Sequence, residues 1–453
     1  MPRPAWLAAW KHACTLLRPP NPRKGSPGST YPWSVVVNRA FLALAVHERA
    51  RLLLIGVFGI SGVMAFSWLA RIPSIRDELA LTPADLGLIL LVGSIGALVT
   101  VFSSPALLAR FGSARVFTAG ALVNMSGFML IGAGSAMGLR WLFGLAILVN
   151  GIGGSLLTVP MNVESARIEQ AHGRSVIPHF HAAFSAGAVG GSLLGAAAAS
   201  AAVPVWLQFG VVALVVGGLR LVALRAGMVL PAVAPVGIGP AGQANSPAVV
   251  SVWREPRAIL IGVLAFAAAL SEGAANNWLS LAFVDGFGAT EAFGGLVLGV
   301  FIGTMTIVRV FGSRAIDGLG RVASLQLSCV LAIAGLAAFG LSGSPQLALV
   351  GVALWGGGTA LCFPLAVAAA SDEPLGAQAR VSMMASLASV AVMTAAPLIG
   401  VVAEALGGPQ HALLVVVVPL LAGLLVAGRV APLLTPVADP RLVLEGHESV
   451  PAA

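Results

Sequence analysis

Few side chains in this sequence can carry a proton or a charge, and several of them sit inside long apolar runs. Glu272 is followed by Asn276 and Ser280 at i+4 and i+8, so on a helix three polar groups share one face. A carboxyl in that setting loses its water, and desolvation favours the neutral acid and raises its pKa towards the range where protons exchange. Glu272 is therefore a candidate proton-coupling site; a structural acid bonded to a neighbouring helix is the other reading. Arg309 is the one basic residue that the segmentation leaves inside a span, eight residues before Asp317. Three roles are open to it: partner to Glu272, brace to Asp317, or clamp on a substrate. His181 titrates near neutral pH and so can relay protons or simply donate to a backbone carbonyl. It stands four residues before Ser185, on the same helical side. Asn150, Gly154, Thr158 and Asn162 form a further polar stripe at i+4 steps. With Ser185, Asn276 and Asn277 they are candidates to line a substrate cavity. Trp68 and Trp278 hold equivalent places near span ends, as interfacial belt residues or as stacking platforms for a flat ligand. Glu164, one turn from a span end, is expected at the headgroups.

Enzyme chemistry finds no constellation. The two lysines, Lys11 and Lys24, lie in no G-K-[ST] context, and G-x-S-x-G, H-E-x-x-H and C-x-x-C are absent. Cys14, Cys329 and Cys362 are far apart in sequence, with no metal-ligand spacing and no disulfide framework. No cofactor and no metal are expected.

The elements that must position these side chains are spanning helices. The chain has 453 residues, 58% of them hydrophobic and 9% charged, against about 25% charged in soluble domains. Its mean hydropathy is +0.96. A helix crossing the bilayer needs about 20 apolar residues, and breaks at charges, Pro and Gly divide the chain into twelve: 51–70, 85–108, 115–136, 141–163, 176–197, 204–224, 257–283, 292–315, 322–342, 345–370, 379–403 and 411–430. The organisation expected is a cytoplasmic arm (1–50), a six-helix bundle (51–224), a linker (225–256), a second six-helix bundle (257–430) and a tail (431–453). Of the 25 Lys and Arg, 21 fall in segments on one side, Arg220 among them, and three (Arg71, Arg76 and Arg140) on the other. That asymmetry puts both termini in the cytoplasm. It also accounts for the net charge of +8 without a nucleic-acid partner.

The two halves repeat. Gly151–Pro160 aligns without gaps on Trp355–Pro364, Ala109–Gly112 on Asp317–Gly320, and Gly87-Leu88 on Gly295-Leu296. Parallel repeats of this kind place a pathway where the halves meet. Gly187, Gly191 and Gly195, and likewise Gly295, Gly299 and Gly303, form small-residue rows that let helices approach closely; the fifth and eighth helices are expected to use them on each other.

In these features the chain resembles the major facilitator superfamily. The family's loop G-x-x-x-D-R-x-G-R-R after the second helix of each half survives as Asp317, Gly320 and Arg321 in the second copy. The first keeps Arg110 and Gly112, with Ala109 where the acid belongs. Pro160-Met161-Asn162, Gly173-Arg174, His181–Ser185, Glu272-Gly273 and Asn277-Trp278 resemble a bacterial branch near the fucose-permease-type sugar porters. The resemblance implies an all-α membrane fold of two pseudo-symmetric bundles working by alternating access, with a small-molecule substrate and protons as partners. It further implies a gating role for the two loops. The expected protein is a monomer in the bacterial inner membrane, taking up a small metabolite such as a sugar or, alternatively, exporting a metabolite or drug. A non-transporting receptor is the rival from another class.

Overall fold

The computed structural model describes residues 45–173, 175–230, 252–373 and 376–431. The expected arm, linker and tail therefore fall largely outside the described residues, as does Arg174. Every regular element among the described residues is a helix, the form in which an apolar segment satisfies its own backbone in lipid. Eleven stretches are long and apolar enough to cross a membrane, and one of them, the 54-residue Pro83–Ala136, breaks at Gly112 into two lengths. This makes twelve crossing segments, in line with the sequence. We number them α1 (Val46–Leu69), α2 and α3 (83–111 and 113–136), α4 (Arg140–His172), α5 (Ile177–Ser200) and α6 (Val205–Arg225). In the second half they are α7 (Pro256–Phe287), α8 and α9 (291–319 and 321–341), α10 (Pro345–Ala370), α11 (Ala377–Leu406) and α12 (Pro409–Val430). A short helix, Ile72–Glu78, links α1 to α2.

The repeat is visible in the backbone. Gly112 ends α2 at φ 76°, ψ 160°, and Gly320 ends α8 at φ 77°, ψ 168°. Only a residue without a Cβ takes that conformation at little cost, which is why the loop motif keeps these glycines. In α10 the helix breaks after Thr359 and resumes at Cys362. Pro364 has no N–H to offer the Ala360 carbonyl four residues back, and that oxygen becomes free for a side chain.

The chain divides into two compact units: the described parts of Met1–Trp68 and Val92–Ile238, and those of Leu69–Leu91 and Gly239–Ala453. The division differs from the expected boundary in one segment, since residues 69–91 go with the second unit. Two ion pairs and a backbone hydrogen bond tie this segment to the second unit. Arg71 Nε donates to Glu291 Oε1 at 3.2 Å, Arg76 forks onto both Asp285 oxygens at 2.7 and 2.9 Å, and the Ala84 N–H donates to Glu404 at 3.2 Å. Burial works against the Arg76 charge, but Asp285 and then Asp77 outweigh it and hold the guanidinium above its ordinary pKa.

Unit one packs around Leu54, Phe58, Phe117, Leu157 and Phe180. Here Gly187 and Gly191 of α5 lie directly on α1, where an added Cβ would overlap the carbonyl oxygens of Gly59 and Val63. In unit two the core centres on Leu264, Leu325, Leu365 and Met384. Cys329 and Cys362, remote in sequence, meet there as free buried thiols with sulfurs 4.0 Å apart. Gly295 and Gly299 are buried in this unit, and Gly303 is half-buried.

Candidate functional site

Unit one encloses a cavity of about 370 Å³. The α4 stripe supplies one wall: Asn150, Gly154, Thr158 and Asn162 all line it, as the i+4 spacing requires of residues on one helical face. Opposite stand Phe58, Ser61, Met64 and Trp68 of α1, with His181 and Phe184 of α5 beside them. The His181 ring meets Phe58 edge-on, centroids 5.7 Å apart. Ser185 is half-buried but does not line the cavity.

The centre of this site was missed by sequence reasoning. Arg220 of α6, grouped above with the end charges, is only 3% exposed and forms part of the cavity wall. Its Nη1 donates to Asn124 Oδ1 at 2.7 Å and its Nη2 to Ser61 Oγ at 3.0 Å, with the Met64 sulfur 3.4 Å from Nη1. Asn124 in turn donates through Nδ2 to Asn150 Oδ1 at 2.8 Å. Helices α1 and α3 thus meet the α6 guanidinium directly, and α4 is linked to it through Asn124. The signal was present: α6 ends at Arg225, so Arg220 lies about 7 Å inside it at 1.5 Å per residue. A basic residue inside a span costs ~2.5–3.5 kcal/mol on insertion scales and should have been read as Arg309 was. Glu164 is corrected in the same sense. Instead of reaching the headgroups it is wholly buried, accepting from Arg167 Nη1 at 2.9 Å and from the Leu230 N–H at 3.2 Å.

In unit two the structure brings Glu272 and Arg309 together, Nη2 to Oε2 at 2.9 Å, each side chain about one-third exposed. Arg309 Nε also donates at 3.2 Å to the Ala360 carbonyl that Pro364 leaves free. The guanidinium is therefore held between α7 and α10, which selects the Glu272 pair over the brace to Asp317. Beside it, the Trp355 indole donates to Ser271 Oγ at 2.8 Å, and Ser271 lies 3.1 Å from Thr359 Oγ1. Asn276 is half-buried with an unpartnered Oδ1, and Asn277 donates back to the Gly273 carbonyl at 2.8 Å. Trp278 is 0% exposed and its indole nitrogen has no partner. It is a core residue of unit two, neither belt nor platform, and so unlike Trp68.

The loop motif is engaged differently from what the resemblance implies. Arg321 Nη1 donates to Asp372 Oδ2 at 2.7 Å, and Arg257 Nη2 donates to the same oxygen at 2.6 Å. Asp317 is exposed and makes no ion pair among the described residues. The acid of the network is Asp372, just past the end of α10, while Gly320 supplies the kink. In the first copy, Arg110 is exposed with its guanidinium 5.3 Å from the Phe111 ring centroid. Among the described residues no group of three or more His, Cys, Asp or Glu is placed to hold a metal ion.

Comparison with known proteins adds three findings. The sequence profile of the Major Facilitator Superfamily matches residues 52–386. A protein of Sinorhizobium fredii named as an uncharacterized transporter, y4wD, is 26% identical over 349 residues, 77% of this chain and 89% of that protein. Two solved structures share the fold: the nucleoside transporter NupG, TM-score 0.67 at 13% identity over 84% of this chain and 98% of that one, and a variant of the E. coli fucose:proton symporter FucP, TM-score 0.58 at 15% identity over 85% and 100%. Crossing helices, kinks repeated at Gly112 and Gly320, and a profile match over most of the chain agree: this protein belongs to the Major Facilitator Superfamily of membrane transporters.

Proposed function

We propose that the protein is a proton-coupled secondary transporter that carries a small polar metabolite across the bacterial inner membrane by alternating access. The observation that carries this reading is the unit-one cavity, in which Asn150, Thr158, Asn162 and His181 face a common space among otherwise apolar helices. Its volume, about 370 Å³, lies at the small end of ligand pockets, about 300–1,000 Å³. Trp68 gives it a flat apolar face. The nucleoside and fucose carriers of like fold both handle hydroxyl-rich solutes, which supports a sugar-like cargo here. Glu272 is the proposed coupling carboxyl. It is paired with Arg309 at 2.9 Å, and a movement of α8 against α7 that parts the two would change the partner its carboxyl group meets.

The test is transport in proteoliposomes under an imposed pH gradient. Glu272→Gln keeps the side chain's shape and removes the titrating proton, so it should retain counterflow exchange and lose accumulation. Arg309→Ala should shift the pH dependence of binding. If Glu272→Gln accumulates substrate as the parent does, coupling through Glu272 is refuted and the pair is structural, an uncoupled facilitator or His181 coupling then remaining.

A further inference from the structure

Arg220 carries its positive charge into the wall of the cavity, and its hydrogen-bond partners among the described residues are all neutral. Its hydrogen-bond partners are an amide oxygen, a hydroxyl and a thioether. No Asp or Glu lines the cavity, and Arg220 makes no salt bridge among the described residues. The other buried arginine among the described residues is treated otherwise: Arg71, 4% exposed, has Glu291. A guanidinium offers five N–H donors. Three contacts are made here, and Nε is buried without an acceptor.

Two neighbours turn oxygens to this charge, and one of them relays it towards the cavity. The Ser61 hydroxyl donates to the Val57 carbonyl at 2.7 Å, which leaves its oxygen to accept from Arg220. Asn124 accepts from Arg220 and passes its own N–H to Asn150 Oδ1, which leaves the Asn150 amide N–H groups as donors on the cavity wall. Thr158 donates to the Gly154 carbonyl at 2.9 Å, which leaves its oxygen to accept from a solute hydroxyl. The chain from Arg220 through Asn124 thus ends in the Asn150 N–H donors, with one cation behind them. A buried charge without a counter-charge is unfavourable unless something supplies the missing partner, and a cavity opening beside it is where that partner can enter.

We propose that this cavity binds an anionic solute, whose carboxylate or phosphate group is the counter-ion of Arg220 and whose hydroxyls meet the Asn150, Thr158 and Asn162 side chains. The proposal rests on the cavity being the transported solute's site, and narrows that solute to a small hydroxylated acid or phosphate ester. Arginine suits both groups because its planar fork matches two oxygens at once.

Thermal unfolding of the purified full-length protein, with gluconate, succinate, glucose 6-phosphate or glucose added at equal concentration, tests it. A ligand that binds only the folded state raises the melting temperature. One or both anion classes should stabilise the protein and glucose should not, the larger shift telling carboxylate from phosphate. Arg220→Gln should weaken anion binding by about 30-fold or more, and Arg220→Lys should keep part of it. Asn124→Asp is the second arm, in case Arg220→Gln does not fold. It places a carboxylate where the guanidinium already donates at 2.7 Å, so the free protein should melt higher and lose its response to anions. The inference is overturned if glucose stabilises as well as the anions, if no anion stabilises, or if either variant responds to anions as the parent does. Counterflow separates this from the transporter reading. An anion that stabilises but is not exchanged would remove transport and leave the site; a neutral solute exchanged equally by parent and Arg220→Gln would do the reverse.

Discussion

Two tryptophans in unit two are both fully buried, yet their indole N–H groups have opposite fates. That of Trp355 donates to Ser271 Oγ at 2.8 Å, whereas that of Trp278 has no acceptor. Replacing an indole by a phenyl ring removes similar apolar contact in each case, but only at position 355 does it also remove a hydrogen bond and leave a buried hydroxyl less well satisfied. Trp355→Phe should therefore cost about 1–2 kcal/mol more than Trp278→Phe, read from unfolding of the purified protein. Equal costs would show that the Ser271 bond contributes nothing. At this scale the sequence was legible where the chemistry is carried by helical spacing. The α4 stripe needed only i+4 arithmetic, and all four of its residues line one cavity. Partners across helices were not legible. Glu272 could be paired with Arg309 only once the Ala360 carbonyl was seen to anchor the guanidinium, and Trp278 looked like Trp68 because spacing does not report which neighbours close over a ring.

Among the elements, the glycines separate by what surrounds them. At Gly112 and Gly320 no atom lies within 4 Å of an added Cβ, and the constraint is the positive φ alone. Alanine at either position should cost about 1–3 kcal/mol, the usual penalty of a strained backbone, and by similar amounts because the two conformations match. Gly187→Ala should cost more, since its Cβ would run into the Gly59 carbonyl and α5 would have to leave α1. Melting temperatures of the three variants would rank them; a Gly187→Ala protein as stable as the parent would contradict the close α5–α1 approach. The row of small residues was plain in the sequence, but a row has no label for its partner, and within unit one the partner is α1. The loop acid was misread for a similar reason. Asp317 sits where the motif has its acid, yet the arginines reach Asp372, about fifty residues further on.

For the whole molecule the orientation is the first thing to establish. The Lys and Arg asymmetry predicts both termini inside, and Leu230, which caps Glu164 through its backbone N–H, closes the described part of the first unit. A reporter fused after Leu230 should be active only as a cytoplasmic fusion, and periplasmic activity would reverse the topology. The number of crossings and the repeat were readable from hydropathy and from aligned glycines; the assignment of residues 69–91 to the second unit was not, because it depends on ion pairs between residues some two hundred positions apart. The matched kinks at Gly112 and Gly320 bear on the history of the chain. If one gene segment was copied and joined to itself, these two glycines are its fossils: the backbone bend has outlived the side chains around it, since the acid of the loop persists in one copy and is alanine in the other. The copies have since acquired different charges, a cation among neutral groups in the first and a cation facing a carboxylate in the second. Exchanging the halves would therefore conserve the shape of the protein and lose its chemistry.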